Sequence, residues 1–132
     1  MGTPRFLTAC VVGGSRPTNP DLANGWYVEP TLFAGVDNAS KIAQEEIFGP
    51  VLTVIPYADE AEAVALANAS DFGLSGSVWT SDTERGAALA SQIRTGVCAV
   101  NSGIIVEPQN PFGGFKSSGI GREMGPEGVE AY

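Results

Sequence analysis

At 132 residues the chain has the length of one domain, and 43% hydrophobic with 17% charged residues is typical of a folded globular protein. Its net charge of −8 argues against a nucleic-acid or anionic-membrane surface, because both need clustered lysine and arginine. No apolar run reaches the roughly 18 residues of a membrane helix, and residues 1–12 lack the long apolar core of a signal peptide. The sequence has no histidine, which excludes a His-based triad or a His-ligated metal within it.

The two cysteines, Cys10 and Cys98, are far apart and form no CxxC pair, so we predict no metal site. Each lies in an apolar run typical of a strand. This placement predicts small buried hydrophobic side chains in a reducing compartment, and we therefore expect a cytoplasmic protein.

The first part of the chain predicts short elements joined by turns. Residues 6–12 have the pattern of a strand, and the Pro-, Asn- and Gly-rich residues 13–25 that of a loop. Residues 26–28 favour a short β segment, 29–33 continue extended, and 37–46 can form a short helix. The glycines at the start of the loop are not followed by a helical pattern, so we do not interpret them as a phosphate loop.

The corner at residues 45–50 combines two carboxylates, a phenylalanine and a Gly-Pro pair. Pro50 keeps Gly49 out of the helical region, so a helical or irregular approach ends there. A carboxylate can accept hydrogen bonds from the two hydroxyls of a ribose, and a phenylalanine beside it offers a face to a planar ring. The alternative is a solvated pair of glutamates with a core phenylalanine.

Residues 51–101 show a regular pattern that predicts a parallel β-α-β-α-β unit and an α/β fold. We expect strands at 51–57, 74–80 and 97–101. The helices between them start at capping boxes, at residues 59–62 and 81–84. Short connections of this kind imply right-handed crossovers, and ligands bind beyond the carboxyl ends of such strands. The loop after Asn101 is therefore a second candidate site.

That loop, residues 102–118, places several apolar side chains between turn residues, which is unusual for a connector. It is either a binding loop or a lid folded onto the core. Residues 119–123 resemble the start of a dinucleotide fingerprint, but they follow a loop and lack the third glycine. We therefore expect a tight turn leading into a C-terminal helix within 119–132.

Three stretches, residues 25–33, 45–51 and 110–125, together resemble the C-terminal part of the NAD(P)-dependent aldehyde dehydrogenase superfamily. Their order and spacing match as well, and the resemblance runs from about residue 5 to residue 132. It implies that residues 1–132 are a partial catalytic domain with the corresponding α/β fold.

The resemblance also implies an activity, which is oxidation of an aldehyde to a carboxylic acid with NAD or NADP. By this resemblance Glu46 holds the hydroxyls of the nicotinamide ribose, and Phe48 packs near the nicotinamide. Phe112 forms part of the wall of the aldehyde tunnel. Val106 and Ser102 stand at variable pocket positions, and Val106 replaces a bulkier residue of many relatives, which suggests a roomier tunnel.

In that family the cysteine nucleophile and the glutamate base lie upstream of the matching region. Neither Cys10 nor Cys98 has the family's Gly-Gln-x-Cys context. We therefore predict no catalytic residue in this chain, weak cofactor binding and no turnover by the chain alone. The alternative is a non-catalytic binding or assembly module, whose exposed sheet edges predict self-association. A generic nucleotide-binding domain is disfavoured, since no glycine-rich loop follows a strand.

Overall fold

The structure, a computed structural model, describes residues 8–103 and 106–130. The chain divides into two compact units, Met1–Ile55 and Pro56–Tyr132. Each unit is described by itself below.

The first unit contains an antiparallel pair of short strands. Strand β1 (Ala9–Val12) pairs with β2 (Leu32–Ala34), and the register shifts between Cys10 and Val12. A 3-10 turn (Pro20–Leu22) lies in the loop that joins them, and a single helical turn, α1 (Lys41–Gln44), follows.

These elements follow the sequence pattern in part. The expected strand at 6–12 is confirmed from residue 9, while residues 6 and 7 lie outside the described ranges. Residues 26–28 form no strand, and pairing begins later, at Leu32. The helix expected at 37–46 is shorter because the Asp37 carboxylate accepts the backbone N–H of Ala39 at 2.9 Å and forms a turn.

The second unit is built on a parallel strand pair. Helix α2 (Glu60–Asn68) precedes β4 (Ser75–Val78), α3 (Thr83–Ala90) and β5 (Val97–Val100). Strands β4 and β5 are parallel, and α3 connects them and packs against both. The prediction of an α/β fold with parallel strands is confirmed in this β-α-β arrangement.

Side-chain caps start both helices of this unit. Asp59 Oδ1 accepts the N–H of Glu62 at 2.9 Å, and Glu62 Oε2 accepts the N–H of Ala58 at 2.6 Å. The cap at 59–62 is therefore confirmed. The second helix begins one residue later than predicted, because Asp82, rather than the preceding serine, accepts the N–H of Arg85 at 3.0 Å.

The strand predicted at 51–57 is wrong: these residues belong to no strand or helix. Most residues of this segment are apolar, as in a buried strand, but a strand also needs a neighbour for its N–H and C=O groups. Leu52 and Val54 are 85% and 81% exposed, so the segment lies open to solvent in this chain.

Two short strands absent from our prediction hold the end of the second unit. Strand β3 (Phe72–Gly73) pairs antiparallel with β6 (Phe115–Lys116). The helix expected within 119–132 is shortened to α4 (Gly125–Val129), and residues 131 and 132 lie outside the described ranges. It starts late because Glu123 forms a backbone bridge to Phe112.

Little apolar surface is buried within either unit. Ala90 of α3 is the buried apolar residue in the described part of the chain, whereas the residues of β5 are half-buried. Many large apolar side chains are exposed, including Trp26 at 95% and Ile120 at 80%. Across residues 8–103 and 106–130, no helix has the length and apolar character needed to cross a membrane.

Candidate functional site

The corner at residues 45–50 forms because α1 stops before it. Glu45 is extended (φ −95°, ψ 146°), while its N–H still donates to the Lys41 carbonyl at 3.0 Å. Its carboxylate lies 3.5 Å from Lys41 Nζ, an exposed pair one helical turn apart. The N–H of Val51 donates to the Gly49 carbonyl at 2.8 Å across Pro50, and this contact makes the corner tight.

Glu46 lines a shallow depression of about 280 Å³ in the first unit. Its carboxylate has no hydrogen bond or ion pair to another residue among those the structure describes. Phe48 is 94% exposed, so it is not the core side chain of the alternative interpretation. The depression is lined by eight residues: Ile42, Ala43, Glu45, Glu46, Ile47, Gly49, Val51 and Thr53.

NAD or NADP, the cofactor implied by the resemblance, can be tested against this geometry. A carboxylate without a protein partner keeps its acceptor positions for two hydroxyl donors, as a ribose diol requires. The exposed Phe48 leaves a ring face open to a planar group. The residues present therefore fit the nicotinamide–ribose part of the cofactor.

The loop of residues 102–118 leaves the sheet at a residue that hydrogen bonds hold in place. Asn101 has a positive φ of 53°, and its N–H donates to the Val78 carbonyl at 2.8 Å. Its side chain both accepts from the N–H and donates to the carbonyl of Thr80, each at 2.8 Å. These bonds join the carboxyl ends of β4 and β5, and the half-buried Ser102 follows immediately.

The middle of the loop is held by Glu107. Its Oε2 accepts from Gln109 Nε2 at 3.2 Å and from Asn110 Nδ2 at 2.9 Å. The carbonyl of the next residue, Pro108, accepts the N–H of Gly125 at 3.0 Å. Val106, just before this turn, is 45% exposed, and residues 104 and 105 lie outside the described ranges.

The backbone of Phe112 is fixed by two hydrogen bonds to the backbone of Glu123. Its N–H donates to the Glu123 carbonyl at 2.7 Å, and its carbonyl accepts the N–H of Glu123 at 2.8 Å. The ring is half-buried. An apolar side chain with a fixed backbone is suited to form a wall against an apolar ligand.

Arg122 holds the turn that follows Phe112, a role that the sequence did not reveal. Its Nη1 donates to the carbonyls of Gly114 at 2.8 Å, Gly121 at 2.9 Å and Ile120 at 3.1 Å. The guanidinium carbon lies 5.3 Å from the centre of the Phe115 ring. A lone arginine in a glycine-rich stretch was the only available signal, since such a stretch leaves carbonyls that need donors.

Lys116 joins the end of the loop to α2. Its backbone has a positive φ of 54°, and its Nζ donates to the carbonyls of Asn68 at 3.0 Å and Ser70 at 2.7 Å. A lysine at this place satisfies carbonyls at a helix C-terminus and complements the helix dipole. The loop is therefore fixed at both ends.

The cysteines lie in different surroundings. Cys10 is exposed, so the prediction that it is buried is wrong; its thiol lies 3.4 Å from the Val12 carbonyl. Cys98 is half-buried in β5, and burial raises the pKa of its thiol, partly offset by a hydrogen bond with the Thr95 side chain. A raised pKa disfavours the thiolate, which is the nucleophilic form.

The candidate residues thus fall into two sets. Glu46 and Phe48 share the corner of the first unit. Ser102, Val106 and Phe112 lie along one loop of the second unit, where Glu107, Lys116 and Arg122 fix its course. In the described part of the chain, no group of three His, Cys, Asp or Glu side chains is arranged to hold a metal ion.

Comparison with known proteins gives one consistent family. Residues 7–132 match the aldehyde dehydrogenase family. The chain is 52% identical to geranial dehydrogenase of Castellaniella defragrans over 92% of its own length and 25% of that protein. It is 44% identical to betaine aldehyde dehydrogenase of Bacillus subtilis, over 91% of its own length and 24% of the relative.

Solved structures give the same result. A Mycobacterium tuberculosis aldehyde dehydrogenase complexed with NAD+ matches 94% of this chain and 25% of its own, with 55% identity and a TM-score of 0.80. A Staphylococcus aureus betaine aldehyde dehydrogenase in complex with NAD+ matches 95% of this chain and 25% of its own, with 42% identity and a TM-score of 0.84. The chain therefore spans about a quarter of the length of these relatives.

Proposed function

The chain belongs to the aldehyde dehydrogenase family, and from that premise we propose that it forms part of an enzyme that oxidises an aldehyde to a carboxylic acid with NAD or NADP. The observation that carries this proposal is the match over residues 7–132, together with identities of 52% and 55% to two such enzymes. In this enzyme the chain contributes one side of the cofactor site and one side of the substrate site.

On the cofactor side, the Glu46 carboxylate accepts hydrogen bonds from the hydroxyls of the nicotinamide ribose, and Phe48 packs near the nicotinamide. The support is geometric: the Glu46 carboxylate lines a depression of about 280 Å³ and has no partner among the described residues, and Phe48 is 94% exposed. When bound, NAD(P) supplies the acceptor for the hydride. Within the chain, these two residues orient the cofactor and do not exchange protons with the substrate.

On the substrate side, Ser102, Val106 and Phe112 line the path of the aldehyde. Val106 and Phe112 offer apolar surface, and the Arg122 guanidinium lies over one face of the neighbouring Phe115 ring, 5.3 Å from its centre. A quaternary ammonium group is best held by several aromatic faces. We therefore propose that the substrate is an apolar aldehyde, of the kind named in geranial dehydrogenase, instead of betaine aldehyde.

Alone, residues 1–132 should not turn over aldehyde. Covalent catalysis needs an activated nucleophile, whereas burial raises the pKa of the Cys98 thiol and so disfavours its thiolate, and Cys10 lies in a two-stranded sheet without the family's Gly-Gln-x-Cys context. We propose that the nucleophile and the base come from sequence upstream of the matching region. The free cysteines also suit a reducing compartment, so the cytoplasm is the location we propose.

A second candidate is a non-catalytic assembly module. The observation in its favour is exposed apolar surface, including Trp26, Leu52 and Val54 at 95%, 85% and 81%. Surface of this extent favours association with a second copy or with a longer relative. Sedimentation of the chain across a wide concentration range tests this: self-association supports the assembly role, and a monomer at every concentration contradicts it.

The enzymatic proposal is tested by NAD(P)H formation. We expect an intact protein, in which this chain follows an upstream Gly-Gln-x-Cys segment, to reduce NAD or NADP with geranial and more slowly with betaine aldehyde. Residues 1–132 alone should produce none. Absence of NAD(P)H from every aldehyde in the intact protein would contradict the proposal, and turnover by residues 1–132 would contradict the upstream nucleophile.

A further inference from the structure

At Gly96 two backbone segments of the second unit approach each other closely. It ends the connection between α3 and β5, and its N–H donates to the Gly73 carbonyl at 3.1 Å. A Cβ atom added to Gly96 would lie 1.6 Å from the carbonyl oxygen of Gly113 and 2.7 Å from its carbon. No side chain can move aside here, since the obstructing atoms are backbone.

Gly113 is enclosed on its other side as well. A Cβ atom added there would lie 2.1 Å from the Gly121 carbonyl oxygen and 2.7 Å from Arg122 Nη1. The peptide after Phe112 therefore runs between the Gly96 backbone and the turn that Arg122 holds. Glycine is required where backbones approach this closely.

Phe112 directly precedes this enclosed residue. Its two backbone hydrogen bonds to Glu123, at 2.7 and 2.8 Å, fix it against one neighbour. Contact between Gly113 and Gly96 fixes the same peptide against the start of β5. The distance between the loop backbone and Gly96 therefore determines where the Phe112 ring lies relative to the parallel strands.

We propose that Gly96 is a positioning residue for aldehyde binding: its lack of a side chain seats the 112–114 backbone and so places the Phe112 ring in the substrate path. This inference rests on the proposed role of Phe112. Gly96 itself touches neither substrate nor cofactor. Its effect passes through Gly113, and it should change selection among aldehydes while leaving cofactor binding alone.

Gly76 offers a matched control. It lies in β4 opposite Cys98, and a Cβ atom added to it would meet side-chain atoms at 3.5 to 3.7 Å, which is ordinary contact. Gly76→Ala is thus the same substitution in the same sheet, without a backbone obstruction. Gly73→Ala gives a milder form of the test, since its Cβ would lie 2.6 Å from the Arg94 carbonyl in the same connection.

The experiment compares four variants of the intact protein, Gly96→Ala, Gly73→Ala, Gly76→Ala and Phe112→Ala, with acetaldehyde and benzaldehyde as probes. We expect Gly96→Ala to change the ratio of the two kcat/KM values by about tenfold or more, because small misplacements at a site have large effects. The KM for the cofactor should stay unchanged. Gly73→Ala should give a smaller change in the same direction, and Gly76→Ala should stay within about twofold.

The outcomes distinguish a failure of the positioning role of Gly96 from a failure of the proposed role of Phe112. An unchanged ratio in Phe112→Ala contradicts the proposed role of Phe112. A changed ratio in Phe112→Ala, with wild-type ratios in soluble Gly96→Ala and Gly73→Ala, overturns the positioning role alone. If both of these variants fail to fold while Gly76→Ala folds, Gly96 is a folding determinant and the positioning proposal is wrong.

Discussion

The corner around Glu46 and the loop around Phe112 present their side chains in opposite ways. Phe48 is 94% exposed on a corner with local contacts, from the Glu45 N–H to the Lys41 carbonyl and from the Val51 N–H to the Gly49 carbonyl. Phe112 is half-buried, with two backbone bonds to Glu123 and an enclosed glycine beside it. One region offers unpartnered groups, and the other offers a fixed surface.

This difference indicates a division of labour within the chain. Groups without protein partners can gain hydrogen bonds from a ligand, so under the proposed function we expect the corner to contribute affinity for the cofactor. A surface that is fixed before binding needs no ordering when the ligand arrives, so we expect the loop to present a wall of fixed shape that selects among aldehydes. Three sets of variants test this contrast between the corner and the loop.

Arg122→Met should cause the largest loss of stability. It removes a charged donor from three carbonyls at 2.8 to 3.1 Å, and we expect a decrease of about 2 to 3 kcal/mol in the free energy of unfolding. Urea denaturation measures it. Arg16→Met is the matched control in the corner's own unit: Arg16 lies 5.3 Å from the Trp26 ring at the surface, so its loss should cost under about 1 kcal/mol. Equal decreases in the free energy of unfolding for the two variants would contradict the contrast between the units.

Asn101→Ala should cost about 1 to 2 kcal/mol, because it removes both bonds to Thr80 and places alanine at a φ of 53°. Asn101→Gly removes the same bonds but tolerates the positive φ, so it should recover part of the loss. Thermal unfolding of both variants separates the two contributions. A glycine variant no more stable than the alanine variant would show that backbone strain plays no part.

The cysteines should differ in reactivity. Burial raises the pKa of the Cys98 thiol, whereas Cys10 is exposed. Iodoacetamide at neutral pH should therefore modify Cys10 first, and the Cys98 rate should keep rising to higher pH. The folded protein holds the Cys98 proton more tightly than the unfolded one, so this small stabilisation is present below the thiol's ordinary pKa and lost as the pH rises through the folded value. Mass spectrometry of peptides follows the modification of both cysteines. Faster modification of Cys98 than of Cys10 would contradict the burial of Cys98.

Local patterns were sufficient for much of the fold. The carboxylates at Asp59 and Glu62 predicted a helix start, because capping depends on residues three apart. The apolar runs around Val78 and Val100 predicted the parallel strands, because periodicity reports a half-buried surface. The residue types at 45–50 left two interpretations of the corner open, and only the family resemblance singled out Glu46 over Glu45.

Other features depend on residues distant in the chain. Residues 51–57 have a strand pattern, but pairing requires a neighbouring strand that local sequence does not specify. The Arg122 contact with Gly114 spans eight positions, and that of Lys116 with Ser70 spans 46. The positive φ at Lys116 and Met124 could not be predicted from local sequence either, since neither residue type favours it.

We propose that Glu46, and not Glu45, holds the cofactor ribose. Calorimetric titration of NAD and NADP into intact Glu46→Gln and Glu45→Gln proteins measures the contribution of each carboxylate. Glu46→Gln should weaken binding by about tenfold or more, since hydrogen bonds to a charged acceptor are lost. Glu45→Gln should change it by less than about twofold, because Glu45 forms an exposed pair with Lys41. Equal effects of the two variants, or a larger effect of Glu45→Gln, would contradict the account.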